Sequence, residues 1–106
     1  ADGFDGHRTL EAPRGGCIVL RSSAQMGGAM ETGSRVWTAG CALLGLFGAG
    51  HLDGVVRGHV LDLGAGTGIL GLGLARGGAP VERVTMTDGQ PAVVANLRYN
   101  AEATAA

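Results

Sequence analysis

Two features of this chain have residue types and spacing that can do chemistry. The first is the run Gly64-Ala65-Gly66-Thr67-Gly68, which follows the apolar segment His59–Leu63. The second is Asp88, twenty positions after Gly68 and at the end of another apolar segment. Glycines in such a loop reach positive φ and leave no Cβ between backbone and ligand. A helix start that follows the loop offers free N–H groups to a polar or negative group. A carboxylate at Asp88 can accept both hydroxyls of a ribose, and charged hydrogen bonds contribute roughly 1.5–3 kcal/mol each. Together they point to an adenosine-type cofactor held by loop backbone and one acid. The dinucleotide fingerprint G-x-G-x-x-G is not met, because Ile69 stands at its third glycine and the extra glycine is Gly68. A P-loop is excluded, since the chain has no lysine.

The elements that must position this site follow from the pattern around it. Residues 59–63 read as a buried strand, Ile69–Arg76 as a helix ended by Gly77, Gly78 and Pro80, and 82–87 as a second strand. Pro91 suits the first turn of a last helix over 91–103, with Val94, Leu97 and Ala101 on its apolar face. Strands alternating with helices imply an α/β fold with a parallel, Rossmann-like sheet, and ligands of such sheets sit beyond the carboxyl ends of the strands. Upstream, residues 36–48 read as a helix capped by Ser34 or Thr38, with an apolar stripe of Leu43, Leu44 and Phe47. Gly40, Gly45 and Gly48 each cost up to about 1 kcal/mol inside a helix, which predicts close approach of another backbone. Residues 17–22 read as a strand. Gly27–Gly28 then predicts a turn and Ala29–Thr32 a returning strand, which makes a short N-terminal β-hairpin. Residues 1–16 read as an irregular, flexible lead-in to a domain over 17–106.

Composition bounds the function classes. The chain has 106 residues, 21 of them Gly, and a formal net charge of −1 with all eight basic residues Arg. That balance argues against a nucleic-acid surface or a polybasic membrane anchor. No apolar run is long enough to cross a bilayer, and the polar first residues do not read as a signal peptide. Cys17 and Cys41 are too few for a disulfide scaffold, lack metal spacing and read as reduced core thiols. No metal site is expected. A cytoplasmic location, with the nucleus as a second option, follows from these features. His51 and His59 read as structural or solvated groups rather than bases.

HVLDLGAGTGILGLGLA resembles motif I of the class I, seven-stranded S-adenosylmethionine-dependent methyltransferases, and VTMTDGQPAVVANLRYN resembles the segment that follows it there. TGSRVWTAGCALLGLF, upstream, is similar to a segment of the methyltransferase-like protein-lysine methyltransferase branch. The resemblance covers residues 17–103 and implies a cofactor, S-adenosyl-L-methionine, and an acceptor, the lysine side chain of a protein. Gly64, Ala65 and Gly66 would line the methionine and ribose part, Asp88 would bind the ribose hydroxyls, and Trp37 would wall the pocket. Asp62 has two open roles: reaching the methionine ammonium through water, or holding the loop. Asn96 and Asn100 match an L-x-x-N pattern but read equally as packing or capping groups. In the family, later strands supply the adenine contact, an acidic motif beside the methyl group and most of the substrate cleft. The chain is therefore read as the amino-terminal, cofactor-binding half of an incomplete sheet, with catalytic residues expected beyond residue 106. Methyl transfer is an in-line displacement that needs the carbon held about 3 Å from a neutral amine. The competing readings are a truncated or non-catalytic S-adenosylmethionine-binding module and, less favoured by the missing third glycine, a nucleotide-dependent oxidoreductase.

Overall fold

The computed structural model describes residues 7–21 and 38–105. In chain order the elements are β1 (His7–Glu11), β2 (Cys17–Arg21), α1 (Thr38–Gly48), β3 (Gly58–Asp62), α2 (Ile69–Arg76), β4 (Val81–Met86) and α3 (Pro91–Ala105). The architecture is α/β, an antiparallel hairpin beside a parallel two-stranded sheet, as an incomplete Rossmann-like fold requires. Predicted and observed elements agree to within two residues at each described end from β3 onward.

The hairpin differs from expectation. β2 pairs with the strand before it, Leu10 opposite Ile18 and Glu11 opposite Cys17, so β1 lies within the stretch read as an irregular lead-in. The sequence 7–11 carries one large apolar residue, Leu10, and therefore no alternation to betray a strand. Its turn is closed by the Ala12 N–H donating to Gly16 O over 3.0 Å, with Gly15 and Gly16 at φ +105° and +78°. Residues 27–32, where the returning strand was expected, lie outside the described residues, as do Ser34 and Trp37.

β3 and β4 run parallel, Val60 opposite Val84 and Asp62 opposite Met86. Val60, Val84 and Met86 pack into the core under α2. The opposite face carries His59, Leu61, Arg83 and Thr85 in the open, with Leu61 58% and Leu63 74% exposed. β3 is thus buried on one face only, not the fully buried strand its apolar run suggested, because a single helix layer covers it.

The core forms where α1, α2 and the hairpin meet, around Phe47, Leu44, Ile18, Leu20, Leu72 and Leu74. Glycines let the two helices approach. A Cβ on Gly73 would stand 2.5 Å from the Leu44 side chain, and one on Gly77 the same distance from Phe47. Gly48 does face another backbone, with Pro13 Cβ at 2.6 Å and its Cα at 3.6 Å, whereas Gly40 faces a side chain, Ile69 at 3.3 Å. Gly45 faces open space, so close approach does not explain it. Arg14, in the hairpin turn, stacks its guanidinium on Phe47 at 3.9 Å. The same group donates to Phe47 O, Asp53 Oδ1 and Ala79 O, which joins the turn to the carboxyl end of α1 and to the segment that follows α2.

α3 covers the other edge of β2 with polar side chains. Asn96, Asn100 and Thr104 recur every four residues and so share one helix face. The Val19 N–H donates to Thr104 Oγ1, which donates back to Val19 O. The Arg21 N–H donates to Asn100 Oδ1, and Arg21 O accepts from both Asn96 and Asn100. This ladder satisfies backbone groups that an edge strand otherwise leaves open to other chains. The buried face of α3 is therefore mixed. Val93 and Leu97 are buried with the three polar residues, while the expected Val94 and Ala101 are half-buried beside them. Both cysteines are free and exposed, against the expectation of core thiols: each lies on the outward side of its element, Cys17 opening β2 and Cys41 on α1.

Candidate functional site

The loop between β3 and α2 takes its shape from three glycines in the left-handed region, Gly64 (φ +66°), Gly66 (+60°) and Gly68 (+91°). Residues with a Cβ rarely adopt that conformation. At Gly68 the space is also closed, since a Cβ there would lie 2.6 Å from Leu97. Gly68 caps α2 without a side-chain bond, so the helix start keeps its backbone donors directed at the site.

Backbone donors seat the loop against the residues that follow β4. Thr87 N–H donates to Asp62 O over 2.9 Å, and Ala65 N–H returns to Thr87 O over 2.7 Å. The Gly66 N–H donates to Asp88 Oδ2 over 3.1 Å. Asp88 Oδ1 accepts the Gln90 N–H over 3.1 Å, which fixes the carboxylate at the end of the strand. From behind, Asn100 Nδ2 donates to Thr67 O over 2.8 Å.

Of the two roles left open for Asp62, the hydrogen bonds show the structural one. Its backbone carbonyl holds Thr87 and through it the loop. Its side chain is separate from that work: Oδ2 is buried and has no hydrogen-bond partner among the described residues. Burial pushes the carboxyl above its ordinary pKa, and the Gly71 backbone N–H at the start of α2 opposes this in part. The carboxylate borders a cavity of about 210 Å³ whose walls are Ala39, Gly40 and Leu43 of α1, Gly64, Ala65 and Thr67 of the loop, and Ile69 and Leu70 of α2. A larger hollow of about 330 Å³ lies between the hairpin and α1, around Leu10, Ile18 and Leu44, with no loop residue in its wall. Size does not mark the site here; the polar groups do.

The structure thus brings Asp62, Gly64, Ala65, Gly66 and Asp88 together at the carboxyl ends of β3 and β4. Trp37 lies outside the described residues, two positions before Ala39 in the cavity wall. His59 is exposed and hydrogen-bonded to Thr85 Oγ1 at 2.8 Å, and His51 is exposed in the loop after α1. Among the described residues no group of His, Cys, Asp or Glu could hold a metal ion, and no helix is long and apolar enough to cross a membrane. The sequence pattern of the lysine methyltransferase family matches residues 19–106. This chain belongs to the lysine methyltransferase family.

Family membership bears out the resemblance to class I methyltransferases, and its span takes in both the loop and Asp88. A second likeness is to the ribosomal RNA small subunit methyltransferase C of Pseudomonas putida (strain GB-1), 50% identical over 48 residues. That stretch is 45% of this chain and 14% of the relative's length. Two residues that hold the candidate site lay outside its expected set: Thr87, and Asn100, which the L-x-x-N pattern had left equally as a packing or capping group. Thr87 acts through its backbone, which carries no residue-type signal. Asn100 had a signal, the four-residue spacing of Asn96, Asn100 and Thr104.

Proposed function

We propose that this chain is the cofactor-binding half of an S-adenosylmethionine-dependent methyltransferase that acts on a protein lysine. The observation that carries the reading is Asp62 Oδ2, a buried carboxylate oxygen with no partner among the described residues, at the edge of the glycine-loop cavity. A buried carboxylate oxygen without a partner is costly, and an ammonium group is its natural complement. The methionine end of S-adenosylmethionine carries one. A cavity of about 210 Å³ is below the usual range for a whole ligand of that size, so it suits that end alone.

Asp88 lies on the far side of the loop. Each of its carboxylate oxygens accepts one backbone N–H and keeps lone-pair capacity for another donor. It would take the ribose hydroxyls there. Gly64 and Ala65 would face the cofactor through backbone alone. When bound, the sulfonium supplies an electrophilic methyl group. The residues of this chain bind and orient it.

The family supports lysine as the acceptor. The relative's name gives an RNA acceptor for that protein. A net charge of −1 and the absence of lysine in this chain do not favour RNA here, because phosphate binding draws on clustered basic groups.

The test is calorimetric titration of the chain with S-adenosylhomocysteine, with NAD as control. Saturable binding of the first and none of the second is expected. A folded chain that binds NAD, or that binds neither, overturns the cofactor reading. For the acceptor, the complete protein is supplied with methyl-labelled S-adenosylmethionine and a cell extract. Label recovered as methyl-lysine is expected; label recovered in RNA overturns the lysine assignment.

A further inference from the structure

We propose that Asn100 is a positioning residue, one carboxamide that makes the shape of the glycine loop depend on the docking of strand β2. Asn100 is 0% exposed. Its Nδ2 donates one hydrogen to Arg21 O over 3.1 Å and the other to Thr67 O over 2.8 Å. Its Oδ1 accepts the Arg21 N–H over 2.8 Å. The amide orientation is unambiguous: a flipped group would set its oxygen against two carbonyls and its nitrogen against an N–H.

Thr67 is the point of the loop that most needs an external hold. It lies between Gly66 and Gly68, both in the left-handed region. Glycine dihedrals have little intrinsic preference, so what bonds the Thr67 peptide decides its direction. Asp88 grips the loop from the front through the Gly66 N–H. Asn100 grips it from behind, one residue further on. Thr67 also walls the cavity that Asp62 borders, so a change in its peptide direction reshapes that wall.

Asn96 provides an internal control. It stands one turn earlier on the same helix face and is 1% exposed. It donates to the same Arg21 O over 2.9 Å and accepts from Arg21 Nε over 2.8 Å. Its hydrogen bonds go to Arg21 and none to the loop. A purely structural ladder predicts similar behaviour for the two asparagines; a positioning role for Asn100 separates them.

The proposal rests on the cofactor reading only for its affinity readout, so a second readout independent of ligand accompanies it. Asn100→Ala, Asn100→Asp and Asn96→Ala are compared with the unmodified chain. Asn100→Asp keeps the acceptor for the Arg21 N–H and removes the donors to Thr67 O and to Arg21 O, the latter still held by Asn96. Affinity for S-adenosylhomocysteine is expected to fall about tenfold in both Asn100 variants. It stays within about twofold in Asn96→Ala, although that variant also melts at a lower temperature. Backbone hydrogen exchange by NMR is expected to quicken at Gly66 and Gly68 in the Asn100 variants only. Affinity that falls in proportion to melting temperature in all the variants, or loop exchange unchanged by Asn100→Asp, overturns the proposal. If the folded unmodified chain binds no S-adenosylhomocysteine, the cofactor reading fails and loop exchange alone decides the positioning role. Should the Asn100 variants not fold, native-state exchange on the unmodified chain decides: Arg21 and the loop amides are expected to open together with one denaturant dependence. Loop amides that open independently of Arg21 overturn it.

Discussion

The backbone N–H of Gly66 donates to Asp88 Oδ2 over 3.1 Å across 22 residues of sequence, so the acid just beyond β4 and the loop that follows β3 form one unit. The carboxylate therefore has a part in the site before any ligand arrives: it holds the loop whose backbone would face the cofactor.

Asp88→Ala is expected to weaken S-adenosylhomocysteine binding by more than about tenfold, since a charged acceptor and the loop's front support are lost together. Asp88→Asn keeps one carbonyl acceptor and is expected to fall between. Titration calorimetry on both variants checks the order; equal affinity in Asp88→Ala and the unmodified chain would remove Asp88 from the site.

Asp62 makes a pH-dependent prediction. Its carboxyl binds a proton more tightly folded than unfolded, because burial raises its pKa. Such a group lowers stability as pH rises through the interval between the unfolded and folded values, and leaves no difference below both. Asp62→Asn is therefore expected to melt higher than the unmodified chain at neutral pH, with the gain fading on acidification below the ordinary carboxylate range. The same variant is expected to bind S-adenosylhomocysteine more weakly. Melting curves across pH, paired with titrations at pH 7, test both halves; a variant neither more stable nor weaker in binding contradicts the assignment.

The helix glycines separate by environment. Gly73→Ala places a methyl 2.5 Å from the buried Leu44 side chain and is expected to cost about 1–3 kcal/mol. Gly45→Ala meets nothing within 4 Å and is expected to stabilise by up to about 1 kcal/mol through helix propensity. Urea unfolding of the two variants should give opposite signs.

Arg14→Ala removes the cation over Phe47 and the donors to Phe47 O, Asp53 and Ala79 O. A loss of about 1–2 kcal/mol is expected, drawn mainly from the cation and packing over the Phe47 ring and the lost hydrogen bonds, since Phe47 O keeps the Gly50 N–H as a donor. Because Asp53 is 46% exposed, the ion pair itself contributes little, and high salt should leave most of the difference in urea midpoints unchanged.

The sequence by itself determined the parts of this protein that are written locally. Glycines spaced two apart between a strand pattern and a helix pattern open the left-handed region to that loop. A strand ending in Asp88 places an acid beside that loop as soon as the sheet is parallel. The positions of β3, α2, β4 and α3 followed from apolar periodicity and from Pro80 and Pro91. Tertiary structure alone decided the rest. Leu10 is too little pattern to announce β1, and only pairing with β2 makes it a strand. The apolar run of β3 reads the same whether one face or both are covered, and the placement of a single helix layer left Leu61 in the open. Cys17 and Cys41 face outward because of the register of their elements, which composition does not encode. Asn96, Asn100 and Thr104 have the spacing of an ordinary solvent-facing stripe. They became a buried ladder because β2 lies against that stripe, and Asn100 reached the loop because Thr67 O came within 2.8 Å of it. Local spacing specifies which dihedrals a segment can adopt; which polar groups meet depends on contacts between segments distant in sequence, and those exist only once the chain has packed.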